Sequence, residues 1–175
     1  PTGLAIDSHG NIFVGSDIGG LVHRIDARTG LIAPFAGGGD SLADAIPARE
    51  AALVNPWSVR IDAEDNVYIC DIGLHAIFRV DADTGLMHRV AGTAGKAGHA
   101  GDGGPATAAL LNWPTDVVLD RQGNLYVADR DNHVVRLVDG ATGIISTFAG
   151  TVGSPGFAGD GGDKLSARFS YPQNL

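Results

Sequence analysis

Short apolar runs separated by polar turn residues follow one another along the chain. In residues 114–150, four such runs are divided by clusters of Asp, Asn and Gly. Runs of this length predict β-strands joined by hairpins, because Asp and Asn bond their own backbone in turns and Gly tolerates positive φ. We expect strands within 116–120, 124–129, 133–139 and 144–150.

The same pattern occurs three times. The stretches that open at Pro1, Pro56 and Pro114 superpose in register, and "PQNL" opens a fourth copy. Self-similarity at a fixed period is the signature of a repeat architecture. The predicted units are residues 1–55, 56–113, 114–171 and the start of a fourth at 172–175. The recurring turn positions are Asp7, Asp62 and Asp120, Asn11, Asn66 and Asn124, and Asp26, Asp81 and Asp139.

Each unit is predicted to be a four-stranded sheet with neighbours on both faces. The second strand is apolar at successive positions, as in 125–128, which indicates a sheet covered on both sides. Pro34 lies in the fourth strand, and proline is tolerated where no ladder donor is needed, so this strand is expected outermost. Such sheets in tandem predict an all-β protein made of β-propeller blades, with an open β-solenoid as the alternative.

The third copy, "PTDVVLDRQGNLYVADRDNHVVRLVDGATGIISTFAG", resembles the NHL-repeat family, and the likeness holds in register in all three copies. The first copy departs from it, with Ser16 opposite Asp71 and Asp129. The resemblance implies a ring of about six blades, of which this chain supplies half. It also implies, by analogy alone, an extracytoplasmic location.

Half a ring leaves an apolar sheet face bare at each end. Monomeric soluble proteins rarely expose apolar patches of that size. We expect the faces of blade 1 and blade 3 to be covered, either by a second copy placed head to tail or by the remaining blades of a longer chain.

Composition narrows the partners. The 175 residues are 44% apolar, enough for a packed core, and the net charge of −8 disfavours nucleic acid and acidic membrane surfaces. No apolar run approaches membrane-spanning length. The lone Cys70 aligns with Gly15 and Ala128, a small-residue position between blades, and is expected to be inert.

The glycine-rich stretch 91–114 raises the question of a ligand loop. An acidic residue inside a phosphate cradle opposes phosphate, and one carboxylate is too few for an ordinary calcium loop. A structural connector is the favoured interpretation: Pro47 and Pro105 suit the first turn of a short helix. Aspartates at equivalent positions are then expected to accept backbone amides in the turn before it. They are Asp44, Asp102 and Asp160.

His75 and His133 lie one repeat apart, too far to share a metal, and are expected to bond the local backbone. Propeller lyases and hydrolases similar to this family use an axial metal held by histidines on inner strands. Here His23 and His88 are assigned to outer strands and His9 to a turn. No catalytic residue, metal or cofactor is predicted from these repeats.

Departures from the repeat near the propeller axis are the candidate ligand-binding residues. They are Trp57, Arg60, Trp113 and Tyr171. A structural alternative pairs Arg60 with Asp116 of the next unit and packs Trp57 under the connecting loop. The predicted function is a binding or assembly scaffold, and the alternative is a fragment of a propeller enzyme with these side chains around a cleft.

Overall fold

A computed structural model describes residues 2–16 and 19–175 of the chain. Its described part contains three antiparallel sheets with strands in chain order, as predicted. We call these sheets blades 1, 2 and 3, and the first strand of each is the inner strand. Blade 1 contains β1 (Leu4–Ile6), β2 (Ile12–Ser16), β3 (Leu21–Ile25) and β4 (Ile32–Gly37). Blade 2 contains β6 (Pro56–Ile61), β7 (Val67–Asp71), β8 (Ala76–Val80) and β9 (Leu86–Ala91), with β5 (Ile46–Pro47) beside β9. Blade 3 contains β10 (Pro114–Leu119), β11 (Leu125–Asp129), β12 (Val134–Val138) and β13 (Ile145–Ala149).

The recurring Asp and Asn residues close the hairpin turns. Asp62 accepts the Asn66 backbone N–H at 2.8 Å, and the Asn66 side-chain amide donates to the second Asp62 oxygen at 2.9 Å. The Asn66 carbonyl oxygen accepts from the N–H of Ala82 at 3.0 Å, which ties this turn to the next one. The other two blades repeat the arrangement. The turn prediction is confirmed.

Burial follows the position of each blade. All five residues of β7 are buried, because blade 2 packs against a neighbour on each side. In β2 buried and partly exposed residues alternate, so only one face of blade 1 is covered. One apolar core lies between blades 1 and 2, around Phe13, Val22 and Ile69, and the second lies between blades 2 and 3, around Ile77 and Val127.

A long loop follows the outer strand of each blade, and the first two of these loops lead to the inner strand of the next blade. The three loops are loop 1 (38–55), loop 2 (92–113) and loop 3 (150–171). Loop 1 contributes β5, which pairs with β9, and Pro105 of loop 2 forms a bridge with Ile144 beside β13. Each of these two loops therefore reaches across to the outer edge of the following blade.

Two expectations need correction. The fourth strand is not outermost in blade 2, because the preceding loop adds β5 to its edge. Pro105 directly precedes a short 3₁₀ helix at Ala106–Ala108, as expected, but Pro47 lies in β5 and opens no helix. No helix in the described residues is long and apolar enough to cross a membrane.

Candidate functional site

A buried aspartate at the end of the second strand fixes the entry to the inner strand in blades 2 and 3. Asp71 accepts four backbone N–H groups, from Val54, Asn55, Gly73 and Leu74, at 2.8 to 3.0 Å. Burial raises the pKa of Asp71 against the effect of these donors. The alignment of Asp71 with Asp129, where the first copy has Ser16, is the sequence signal for this role.

Trp113 and Tyr171 both lie beside one arginine at the end of the molecule that carries the long loops. The guanidinium carbon of Arg130 is 5.7 Å from the Trp113 ring centroid and 5.0 Å from that of Tyr171. Such contacts are attractive because the ring face is electronegative. Arg130 also pairs with Asp131 at 2.7 Å. Two of the predicted site residues are thus brought together by a residue that sequence reasoning missed.

His75 and His133 do bond backbone, but the prediction that the backbone is local was wrong. The Trp113 N–H donates to His75 Nδ1 at 3.2 Å, and the Tyr171 N–H donates to His133 Nδ1 at 3.2 Å. The propeller arrangement brings the following inter-blade junction beside each histidine turn. Each histidine therefore joins one blade to the entry of the next. Burial lowers the pKa of His75, which keeps Nδ1 available as an acceptor.

Arg60 forms the ion pair expected with Asp116 of the next blade. Arg60 Nη2 is 2.7 Å from Asp116 Oδ2, and the Asp116 side chain is fully buried. The same oxygen accepts the Leu175 N–H at 3.1 Å, whereas Asp116 Oδ1 is buried without a partner among the described residues. The pair links the inner strands of blades 2 and 3.

The remaining candidates lie apart from this pair. Trp57 is half-buried in β6, at the irregularity between Pro56 and Ser58, and no described contact joins it to the other candidates. Its packing under the loop stays a prediction. Cys70 is buried in the second core, and burial raises the pKa of its thiol to about 12.

The loop aspartates bind the next blade, not their own turn as expected. Asp44 Oδ1 accepts the Arg89 N–H of β9 at 2.9 Å. Asp102 Oδ2 accepts the Thr147 N–H of β13 at 3.0 Å and its hydroxyl at 2.8 Å. The loop crosses the outer edge of the following sheet and so brings the carboxylate to that strand.

Arg136, fully buried in β12, extends the second of these junctions. Its guanidinium pairs with Asp102 Oδ1 and lies 3.3 Å from Asp129 Oδ2. Burial opposes ionisation of Asp102, but the Thr147 hydrogen bonds and the Arg136 charge leave its pKa lowered. Burial raises the pKa of Asp129 to about 6, despite hydrogen bonds from Asn132, Asn112 and Arg136.

The outward face of blade 1 is apolar and exposed. Leu4 is 57% exposed, Ile6 59% and Ile32 62%. The strand register places Ile6, Ile12, Ile25 and Ile32 in one row across the sheet. The equivalent row of blade 2 is Ile61, Val67, Val80 and Met87, which packs in the core against blade 1.

No group of three or more His, Cys, Asp or Glu side chains in residues 2–16 and 19–175 is arranged to hold a metal ion. At the end opposite the long loops, a cleft of about 660 Å³ lies between the turns of blades 1 and 2. Phe13 and Phe35 lie at this cleft, and carboxylates such as Asp65 and Asp81 line it.

Comparison with known proteins agrees with the repeat. Residues 111–136 match the family model for the NHL repeat. This match covers the junction before blade 3 and its strands β10 and β11. NHL repeat-containing protein 2 of Bos taurus is 29% identical over 163 residues, 85% of this chain and 22% of that protein. The Gallus gallus protein of the same name is 29% identical over 123 residues, 69% of this chain and 16% of that protein. These NHL-type repeats thus span about a fifth of the length of the relatives they match.

Solved structures show the propeller fold. A protein of unknown function from Bacteroides thetaiotaomicron superposes with a TM-score of 0.76 at 19% identity, covering 98% of this chain and 40% of that one. An auxiliary nutrient binding protein from the same organism has a TM-score of 0.68 at 21% identity, covering 95% and 40%. A streptogramin B lyase has a TM-score of 0.61 at 11% identity, covering 99% and 43%. At these identities the likeness concerns the fold of the NHL-type blades alone.

Proposed function

We propose that this NHL-type segment is an assembly scaffold whose end sheets bind further propeller blades. The exposed row on blade 1 carries the proposal, since the equivalent positions of blade 2 are core residues against the preceding blade. Blade 3 repeats the relation, because Val117, Val127 and Ile145 are buried against blade 2. The same face meets a neighbouring blade in both cases where a neighbour exists. The covering blades come from a second copy, giving six in all, or from the rest of a longer chain.

The apolar area exposed on blade 1 favours such a partner. Covering three large aliphatic side chains that are more than half exposed contributes roughly 1 kcal/mol or more each. The far face of blade 3 is better covered. There Phe148 packs edge-on to Tyr126 at 4.9 Å, and Lys164 of loop 3 lies 3.7 Å over its ring centroid. The outward face of blade 1 therefore gains more from association than the far face of blade 3.

Sedimentation equilibrium tests this proposal. We expect concentration-dependent association of the chain, weakened about tenfold or more by Ile6→Asp, because a charge replaces apolar surface that is buried on association. Leu31→Asp is the matched control, since Leu31 is 70% exposed and lies directly before β4, outside that row. A chain that stays monomeric at all concentrations rules out a second copy as the source of the blades, and equal effects of both substitutions contradict the proposal.

A ligand cleft around Trp57, Arg60, Trp113 and Tyr171, as in a fragment of a propeller enzyme, is the second candidate. The proximity of both Trp113 and Tyr171 to one arginine at the loop face favours it. However, Arg130 already contacts both rings, and Arg60 is held by Asp116. A ligand at the rings has to displace Arg130, so the scaffold is preferred. If the cleft binds a ligand, Arg130→Ala should strengthen the change in tryptophan fluorescence on ligand addition, and an absent response in both chains counts against the cleft.

A further inference from the structure

Loops 1 and 2 grip the outer strand of the next blade with the same backbone and carboxylate contacts. The carboxylates of Asp44 and Asp102 accept the strand N–H groups described above. Beside them, the Ala48 N–H donates to Gly85 O at 3.0 Å, and the Ala106 N–H donates to Gly143 O at 2.9 Å. Each of these two loops thus supplies one carboxylate that accepts from the strand and one backbone N–H that donates to the turn before it.

Loop 3 has the same internal structure as loop 2, without a fourth blade among the described residues. Gly98 donates its N–H to Leu111 O at 3.0 Å in loop 2, and Gly156 donates to Phe169 O at 3.2 Å in loop 3. Arg168 donates to Ala158 O at 2.9 Å. Loop 3 is therefore already folded for binding, which lowers the cost of ordering it on association.

Loops 2 and 3 also have the same backbone conformation at one equivalent glycine position. Gly101 and Gly159 have the same φ of 102°. A Cβ at Gly101 would lie 2.7 Å from the Ala109 Cα, and one at Gly159 would lie 2.7 Å from the Ala167 Cα. Both loops double back on themselves at this point and present the following aspartate in the same way.

Asp160 is the unused acceptor of loop 3. It aligns with Asp44 and Asp102, it is exposed, and it accepts no hydrogen bond from residues 2–16 or 19–175. The start of the next inner strand is already in place, because the Thr115 hydroxyl donates to Pro172 O at 3.3 Å, as Thr2 does to Pro56 O. What is missing is an outer strand.

The outer strand of blade 1, offered by a second copy, cannot make the same contact with loop 3. The strand residue that donates to the loop carboxylate is Arg89 opposite Phe78 and Thr147 opposite Arg136. In blade 1 the equivalent residue, opposite His23, is Pro34. Proline has no backbone N–H. A head-to-tail dimer therefore leaves Asp160 without the donor that both internal junctions supply.

We infer that loop 3 is a preformed clamp for the outer strand of a fourth NHL-type blade that carries a backbone N–H at the position of Arg89 and Thr147, and that Pro34 excludes blade 1 of another copy from it. The inference rests on the proposed function and identifies which of its two sources of blades fits.

The test appends a second copy of residues 114–171 after Tyr171, ending again in 172–175, and measures urea unfolding and hydrogen exchange. With the added blade docked, we expect Asp160→Ala to raise the unfolding equilibrium constant about tenfold, since a hydrogen bond to a charged group is lost. The chain of residues 1–175 without the added blade should show no change in stability with the same substitution. Thr147→Pro in the appended copy should abolish the effect of Asp160→Ala.

A docked blade whose stability ignores Asp160, or is equally sensitive to it with Thr147→Pro, overturns the inference alone. An added blade that exchanges and unfolds independently of the other three contradicts the proposed function instead. Sedimentation of the natural chain gives a second measurement. There Pro34→Thr should strengthen association about tenfold and Asp160→Ala should reverse that gain, whereas Asp160→Ala alone should change nothing. Association of the Pro34→Thr chain that is indifferent to Asp160 counts against the clamp.

Discussion

The junctions of loop 1 with blade 2 and of loop 2 with blade 3 share their backbone contacts but differ in side-chain chemistry. At the first, Phe78 is buried in an apolar core, and Asp44, 66% exposed, holds only the edge strand. At the second, Arg136 takes the place of Phe78 and joins Asp102 to Asp129.

The repeat therefore specifies the path of the loop but not the side chains that hold the loop against the next blade. An apolar side chain at the central position needs no partner. The buried Arg136 guanidinium is paired with carboxylates from two elements, and its removal leaves the buried Asp129 without that charge partner. The second junction should therefore depend on single residues far more than the first.

Arg136→Ala should have the largest effect. We expect a loss of about 3 to 5 kcal/mol in the free energy of unfolding, because Asp129 is left buried with a charge partner removed. Arg79→Ala is the control: Arg79 pairs with Asp81 at 2.7 Å near the surface, so its loss should cost under about 1 kcal/mol. Urea denaturation measures both, and equal losses would remove the contrast between the junctions.

Asp102→Ala and Asp44→Ala compare the two loop carboxylates directly. Asp102 binds Thr147 and the buried Arg136, so its loss should cost about 2 kcal/mol or more, whereas loss of Asp44 should cost about 1 kcal/mol. Thermal unfolding midpoints of the two variants give the order. A larger effect at Asp44 would show that the edge-strand contact, not the arginine, holds the loop.

The remaining expectation is a pH dependence from Asp129. Its folded pKa of about 6 lies above the unfolded value of 3.8, so the folded state retains a proton that the unfolded state loses. Its contribution to stability is thus present below pH 3.8 and is lost as the pH rises to about 6. The stability difference between the natural chain and Asp129→Asn should change across that window. A difference with the opposite slope means that the Arg136 charge dominates over burial.

The regular features were predictable from local residue chemistry. Asp62 and Asn66 close a turn with their own neighbours, so sequence spacing reveals their role. The ion pair of Arg60 with Asp116 was also foreseeable, because both residues depart from the repeat at adjacent inner strands.

The fastening of the loops was not predictable, because its partners are distant in sequence. Asp102 bonds Thr147, 45 residues away, and His75 accepts from Trp113, 38 residues away. A loop carboxylate before a proline fits a helix cap equally well in sequence. Only the path of the loop over the neighbouring sheet decides between the two.

Pro34 has a second consequence, for solubility. Loop 1 covers the edge of β9, and Pro105 bridges to Ile144 beside β13, whereas β4 carries Pro34 within the strand itself. An uncovered edge strand invites strands of other molecules to add to it, which is a route to aggregates, and proline is a common defence. Pro34, which offers no N–H to a neighbouring carboxylate, therefore also disfavours the addition of a strand from another molecule to β4.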